Sequence, residues 1–122
     1  MKNILQQNNK KKNNLHFKNK RIKIFRRFFK MKVGCVKEIK NNEFRVGMTP
    51  DNVKSYVNAG HDVYIEKGAG EGSGFLDAEY VAAGAKMIDT AKEVWDTVEM
   101  MIKVKEPLPE EYPLFHEGLI LY

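Results

Sequence analysis

From Met31 onward, short apolar runs alternate with amphipathic stretches along the chain. The apolar runs predict five strands, at residues 32–36, 62–66, 85–88, 99–104 and 118–122. Each is only four to six residues long and is bounded by glycine, proline or polar residues, as is typical of strands rather than helices.

Three stretches between these runs predict helices. The first has Thr49 as its N-cap, Pro50 at its first position and Gly60 after its end. The second runs from Asp77, as its cap, toward Gly84. The third follows Thr90 and repeats apolar residues at helical spacing, namely Ala91, Val94, Trp95 and Val98. Because helical crossovers join parallel strands, the pattern predicts an α/β fold with a doubly wound, mostly parallel sheet, Rossmann-like or flavodoxin-like.

Charge divides the chain into two parts. Residues 1–30 hold 11 of the 21 Lys and Arg residues and none of the 16 Asp and Glu residues, so the net charge of +5 combines +11 in this segment with −6 in residues 31–122. We interpret 1–30 as a basic, disordered leader and 31–122 as the folded domain, with Met31 as an alternative start. The alternative interpretation is that residues 1–30 bind a membrane surface or a phosphate backbone. We expect neither a nucleic-acid nor a membrane partner.

Cysteine usage and the chain end give two further expectations. The single cysteine, Cys35, lies in an apolar run, which predicts a buried small side chain rather than a reactive thiol. No Cys/His cluster has metal-ligand spacing, so we expect no metal site, and a reducing cytoplasm fits best. The sequence stops within the last predicted strand, at "LILY", and we therefore expect it to be a truncated part of a longer protein.

Candidate chemistry lies where strands of the predicted sheet end. Parallel sheets bind ligands beyond the carboxyl ends of their strands, and both "KNNEFR" after the first strand and "KVKEP" after the fourth lie at that edge. Arg45 and Lys105 can thus face one cavity and hold a small dianion or oxo acid. The alternative is that Lys103 and Lys105 simply end a strand at the surface, with their stems covering apolar neighbours.

A glycine-rich segment, "GAGEGSG" at 68–74, follows the second strand. The G-x-G-x-x-G pattern of dinucleotide sites fails here, because Ser73 or Phe75 stands where the third glycine belongs. Glu71 would also repel a pyrophosphate. A structural turn is the favoured interpretation.

Three of these segments carry a family resemblance. At "KEIKNNEFRVGMTP" (37–50), "GHDVYIEKGAGEGSGF" (60–75) and "MIKVKEPLPEEY" (101–112), the chain resembles alanine dehydrogenases, NAD-dependent enzymes related to the alpha subunit of nicotinamide nucleotide transhydrogenase. The resemblance runs without visible gaps over 31–122. It implies reversible oxidative deamination of L-alanine to pyruvate and ammonia, in the cytoplasm, by a homo-oligomer that is a hexamer in its complete form.

The resemblance also implies roles for individual residues. Arg45 would hold the substrate carboxylate, and Lys105 would be the catalytic, substrate-contacting lysine, whereas Lys103 would belong to the framework. In the full-length protein, substitution of Lys105 by alanine should therefore abolish activity and substitution of Lys103 by alanine should not. The family's catalytic histidine would follow Tyr122, so His116 does not replace it. NAD would be bound by a domain that this chain lacks, and we expect the isolated chain to be inactive.

Two alternatives stay open at this point. The chain can instead be the corresponding piece of a transhydrogenase alpha subunit, in which the alanine site has no role. It can also be a non-enzymatic binding module attached through its basic tail.

Overall fold

In the part of the chain that the structure describes, five parallel strands form one sheet in the order β3-β2-β1-β4-β5. They are β1 (Lys32–Cys35), β2 (Asp62–Glu66), β3 (Lys86–Ile88), β4 (Met100–Met101) and β5 (Ile120–Leu121). In this computed structural model, residues 29–122 are described. The predicted basic leader therefore lies almost wholly outside the described residues and stays a prediction. The parallel α/β architecture predicted from the sequence is confirmed.

The fourth and fifth strands are shorter than predicted. The pairing around β4 continues on both sides, since the Glu99 amide donates to the Lys32 carbonyl at 2.8 Å and the Ile102 amide to the Gly34 carbonyl at 2.9 Å. After Lys103 the chain turns away from the sheet, so the predicted strand 99–104 is too long at its carboxyl end. β5 begins two residues later than predicted because Gly118 adopts a φ of 81°, which breaks the extended conformation.

Among residues 29–122, three α-helices cover the sheet: α1 (Pro50–Asn58), α2 (Asp77–Ala83) and α3 (Ala91–Thr97). α1 begins as predicted, with the Asn52 amide donating to Thr49 Oγ1 at 3.2 Å. The prediction that Asp77 caps α2 is wrong. Leu76 occupies the cap position, and the Asp77 carboxylate instead accepts the Gly68 amide at 2.9 Å. Asp77 thereby ties the glycine-rich segment to the start of α2.

Along β1 and through Val36, which directly follows it, alternate residues point to opposite faces of the sheet and enter two separate cores. Val33 and Cys35 pack with residues of α1 and α2, whereas Val36 packs with residues of α3. Gly34 lies under α3, where an added Cβ would collide with Val98. A doubly wound arrangement with helices on both faces follows. Within residues 29–122, no helix combines the length and apolar character that crossing a membrane requires.

Cys35 provides a test of the packing on the α1 side. Its side chain is buried, and burial raises the pKa of the thiol from 9.0 to about 11. Because the thiolate is the reactive form, we expect DTNB at pH 8 to react with the folded chain at least about 100-fold more slowly than with the chain in urea. The chain has a single cysteine, so the signal has one source. Comparable rates in the two states would contradict this packing.

Candidate functional site

The loops that follow β1, β2 and β4 meet at the carboxyl edge of the sheet. Arg45 lies in the first of these loops and Lys105 in the third. The strand order places β1 and β4 side by side, with crossovers leaving in opposite directions. Such a reversal opens a crevice between loops, the usual ligand position in parallel sheets.

Lys103 forms a buried ion-pair network at this edge. Its Nζ donates to Glu38 Oε2 at 2.9 Å and to Glu111 Oε1 at 3.1 Å, and the three side chains are only 2%, 2% and 6% exposed. Burial lowers the pKa of Lys103, but the hydrogen bonds to Glu38 and Glu111 outweigh it, so the pKa lies above its ordinary value. Lys103 therefore stays charged and serves the framework.

The same two glutamates also fix the loop backbone after β4. Glu38 Oε1 accepts the Val104 amide at 2.6 Å, and Glu111 Oε2 accepts the Leu108 amide at 2.9 Å. Each carboxylate thus uses one oxygen for Lys103 and the other for the backbone. The loop that carries Lys105 is held on both sides. This changes the expectation for Lys103: its substitution should loosen the loop and so impair a site at Lys105.

Arg45 pairs with a glutamate two residues before it. Arg45 Nε donates to Glu43 Oε1 at 2.6 Å and Nη2 donates to Glu43 Oε2 at 3.1 Å. Glu43 and Arg45 line a small cavity of about 30 Å³ with Glu38, Phe44 and neighbouring residues of the first two loops. A guanidinium held this way at a cavity wall can bind an anionic oxygen.

Lys105 is half-buried and lies close enough to Glu43 for its charge to act on that carboxylate. The hydrogen bond from Arg45 lowers the pKa of Glu43 and the hydrogen bond from Lys40 lowers that of Glu106, and the charge of Lys105 adds a smaller effect in the same direction to both. Among the described residues, no hydrogen bond or ion pair engages the Lys105 ammonium. Lys105 does not line the small cavity. Arg45 and Lys105 are thus related through Glu43, which both of their charges influence.

The glycine-rich segment 68–74 closes on itself. The amides of Glu71, Ser73 and Gly74 donate within the segment, to the carbonyls of Gly68, Gly70 and Glu71 respectively. A Cβ on Gly70 would lie 2.6 Å from the Tyr80 ring, and one on Gly72 would lie 2.9 Å from the Phe44 carbonyl oxygen. The amides that would cradle a pyrophosphate are engaged, and the glycines serve close packing. This segment does not fit NAD.

His116 lies outside the candidate site. Its Nε2 is 2.9 Å from the Val98 carbonyl oxygen and its Nδ1 is 3.0 Å from that of Glu117. With two acceptors, both ring nitrogens are best satisfied as donors, and the hydrogen bonds to Glu117 and Val98 raise the pKa of the imidazole. Both ring nitrogens thus face backbone carbonyl oxygens, and neither is hydrogen-bonded to a residue of the candidate site. Across residues 29–122, no group of three or more His, Cys, Asp and Glu side chains could hold a metal ion.

Several residues of this edge were not identified from the sequence. Glu38, Glu43 and Glu111 lie within the segments that carry the family resemblance, but the sequence analysis predicts no role for them. Ser73 donates through Oγ to the Phe44 carbonyl at 2.8 Å and so joins the second loop to the first. The sequence contains one weak indication of the Glu43–Arg45 pair. The two residues stand two positions apart, which in an extended loop places both side chains on one side.

Comparisons with known proteins cover the same part of the chain. Residues 34–122 match the family described as "Alanine dehydrogenase/PNT, N-terminal domain". An alanine dehydrogenase of Methanococcus maripaludis is 64% identical over 92 residues, which are 75% of this chain and 25% of that protein. One of Bilophila wadsworthia is 62% identical over 92 residues, 75% of this chain and 24% of that protein. The chain thus spans about a quarter of the length of these relatives.

Two solved structures resemble the fold. An L-alanine dehydrogenase superposes with a TM-score of 0.72 at 53% identity, covering 75% of this chain and 25% of that one. A transhydrogenase from Sinorhizobium meliloti superposes with a TM-score of 0.69 at 33% identity, covering 74% of this chain and 25% of that one.

Proposed function

This chain belongs to the alanine dehydrogenase/PNT N-terminal domain family, and from that premise we propose that it forms the substrate-binding part of an alanine dehydrogenase. The reaction is L-alanine, NAD⁺ and water to pyruvate, ammonium, NADH and a proton, and it is reversible. The observation that supports this most strongly is the 64% identity to an alanine dehydrogenase over 92 residues.

Within this proposal, Arg45 binds the carboxylate of L-alanine or pyruvate. A guanidinium can hold a carboxylate through two parallel hydrogen bonds, and Arg45 lies at a cavity wall on the carboxyl edge. Lys105 places its ammonium beside the carbonyl oxygen of pyruvate and stabilises negative charge there. Support comes from its position in an anchored loop and from its lack of an ion-pair partner among the described residues.

NAD accepts the hydride in this reaction, and we place its binding site outside the described residues because segment 68–74 does not fit it. The chain's own contribution is to bind and orient the substrate. We further propose a homo-oligomer, hexameric when complete, that acts in the cytoplasm. A transhydrogenase alpha subunit is the second candidate, favoured by the structural likeness at 33% identity. The higher identity of 53% to the L-alanine dehydrogenase structure favours the alanine dehydrogenase assignment.

A chimera tests the proposal. The 92 matched residues of the Methanococcus maripaludis alanine dehydrogenase are replaced by residues 31–122 of this chain, and NADH formation from L-alanine is followed at 340 nm. We expect turnover by the chimera and none by the 122-residue chain alone, because the chain supplies substrate contacts without a cofactor site.

Two results would contradict the proposal. One is a folded chimera, of the same assembly state as the parent enzyme, that does not oxidise L-alanine. The other is clear turnover by the 122-residue chain.

A further inference from the structure

The pairing of Glu43 with Arg45 has an unusual distribution of exposure. The Glu43 side chain is only 9% exposed, whereas that of Arg45 is 65% exposed. Two parallel hydrogen bonds, at 2.6 and 3.1 Å, join the carboxylate to the Nε and Nη2 side of the guanidinium. The acid is thus the fixed member of the pair, and it holds an arginine that reaches into solvent.

The bonds to Glu43 leave part of the guanidinium available. An arginine has five N–H donors in a planar fork, and Glu43 engages the edge formed by Nε and Nη2. The other edge, formed by Nη1 and the second hydrogen of Nη2, can still bind a carboxylate through two parallel bonds. Glu43 therefore orients Arg45 without occupying the edge that a substrate would use.

The position of Glu43 is itself fixed from two sides. Its amide donates to the Lys40 carbonyl at 3.1 Å, closing a turn in which Asn42 adopts a φ of 61°, a conformation that asparagine tolerates. On the other side, Ser73 Oγ donates to the Phe44 carbonyl at 2.8 Å. Because the backbone is anchored at Glu43 and at Phe44, the carboxylate of Glu43 can hold Arg45 in a defined position.

Glu43 also sets the charge of the site. The hydrogen bonds from Arg45 lower the pKa of its carboxyl, burial raises it, and the charge of Lys105 lowers it further, so that it lies below its ordinary value. At neutral pH the three groups thus carry two positive charges and one negative charge. A net charge of one matches a single carboxylate, whereas Arg45 and Lys105 alone would suit a dianion.

We propose that Glu43 is a positioning and specificity-determining residue: it holds Arg45 by its Nε/Nη2 edge and, through its negative charge, restricts the site to monocarboxylates such as pyruvate. The proposal rests on the proposed function for the identity of the substrate. Its test does not depend on turnover, so the two can fail separately.

The experiment uses the 122-residue chain labelled with ¹⁵N. The Arg45 Nε–H signal is assigned by its loss in Arg45→Lys, and pyruvate and malonate are titrated at low ionic strength. In the native chain we expect pyruvate to shift this signal at lower concentration than malonate. In Glu43→Gln the signal itself should move, and the ratio of the pyruvate Kd to the malonate Kd should rise roughly fivefold, the effect of one unit charge a few ångströms away in a wet site.

Two further variants separate charge from geometry. Glu43→Asp keeps the charge but shortens the reach, so the preference for pyruvate should persist while the Nε–H signal moves. Glu106→Gln is the matched control, because Glu106 pairs with Lys40 at the same edge and does not contact Arg45. The proposal is overturned if Glu43→Gln changes the selectivity no more than Glu106→Gln, or if neither anion perturbs Arg45 in the native chain. If Glu43→Gln does not fold, loss of the preference for pyruvate in Glu43→Asp overturns it.

Discussion

Replacing Lys105 by alanine in the active chimera is expected to lower kcat/KM for L-alanine by roughly 10²- to 10⁴-fold, the range for loss of a positioned proton-transfer or charge-stabilising group. Lys105 lies in a loop anchored by Glu38 and Glu111, and within the described residues its ammonium has no ion-pair partner. The loss should therefore reflect the missing ammonium rather than a disturbed fold. Steady-state kinetics with L-alanine and NAD measure it.

The matched control is Lys67→Ala. Lys67 also follows a strand at the carboxyl edge, but it is exposed and pairs with Asp89. Its substitution should leave kcat/KM within about twofold, since exposed ion pairs contribute little. Equal losses in the two variants, or a Lys105→Ala chimera with its activity intact, would remove Lys105 from the proposed mechanism. Lys103→Ala is unsuitable as a control because Lys103 holds the loop.

Most of the fold could be predicted because local and global signals agree. Thr49, Pro50 and Gly60 delimit α1, and the apolar runs coincide with all five strands. The errors lie at strand ends and caps, where long-range contacts decide. Asp77 is a good cap by type, yet its carboxylate accepts the Gly68 amide nine residues away. No pattern within the helix itself could indicate that competition.

Of the candidate site, the sequence allowed only the two positively charged residues, Arg45 and Lys105, to be predicted. The edge that carries Arg45 and Lys105 follows from the rule for parallel sheets, because both residues come after strand ends. Their acidic partners do not follow, since Glu38 reaches Lys103 across 65 residues and this pairing depends on β1 and β4 being neighbours. Glu43 changes the interpretation most. Arg45 and Lys105 alone predicted a site for a small dianion or an oxo acid, and the largely covered carboxylate of Glu43 lowers the positive charge there.

The largest expected effect on stability belongs to Lys103→Met in the 122-residue chain. Removing one partner from a buried ionic network leaves the other charges uncompensated, which costs about 3 to 5 kcal/mol. Here Glu38 and Glu111 would face each other without the ammonium that separates them. Against a typical domain stability of about 5 to 15 kcal/mol, urea denaturation should show a large fall in midpoint. Lys105→Met, two residues away, should change the free energy of unfolding by less than about 1 kcal/mol.

A second substitution distinguishes lost charge compensation from lost packing. In the Lys103→Met background, Glu38→Gln removes one of the two like charges and keeps an oxygen for the Val104 amide, so it should recover roughly 1 kcal/mol. In the native chain the same Glu38→Gln change should destabilise, because it breaks the bond to Lys103. Glu38→Gln that destabilises both backgrounds equally would refute this account.

The pH dependence provides a third check on Lys103. Its pKa is lowered by burial but raised more by the bonds to Glu38 and Glu111, and it lies above the ordinary 10.5. A raised pKa means that the folded state holds the proton more tightly than the unfolded chain, so the contribution of Lys103 is fully present below pH 10.5 and is lost as pH rises through the folded-state value. The stability difference between the native chain and Lys103→Met should thus stay constant from about pH 7 to pH 10 and narrow only in stronger alkali. A difference that already disappears by about pH 9 would mean that the ammonium is not held by its two carboxylates.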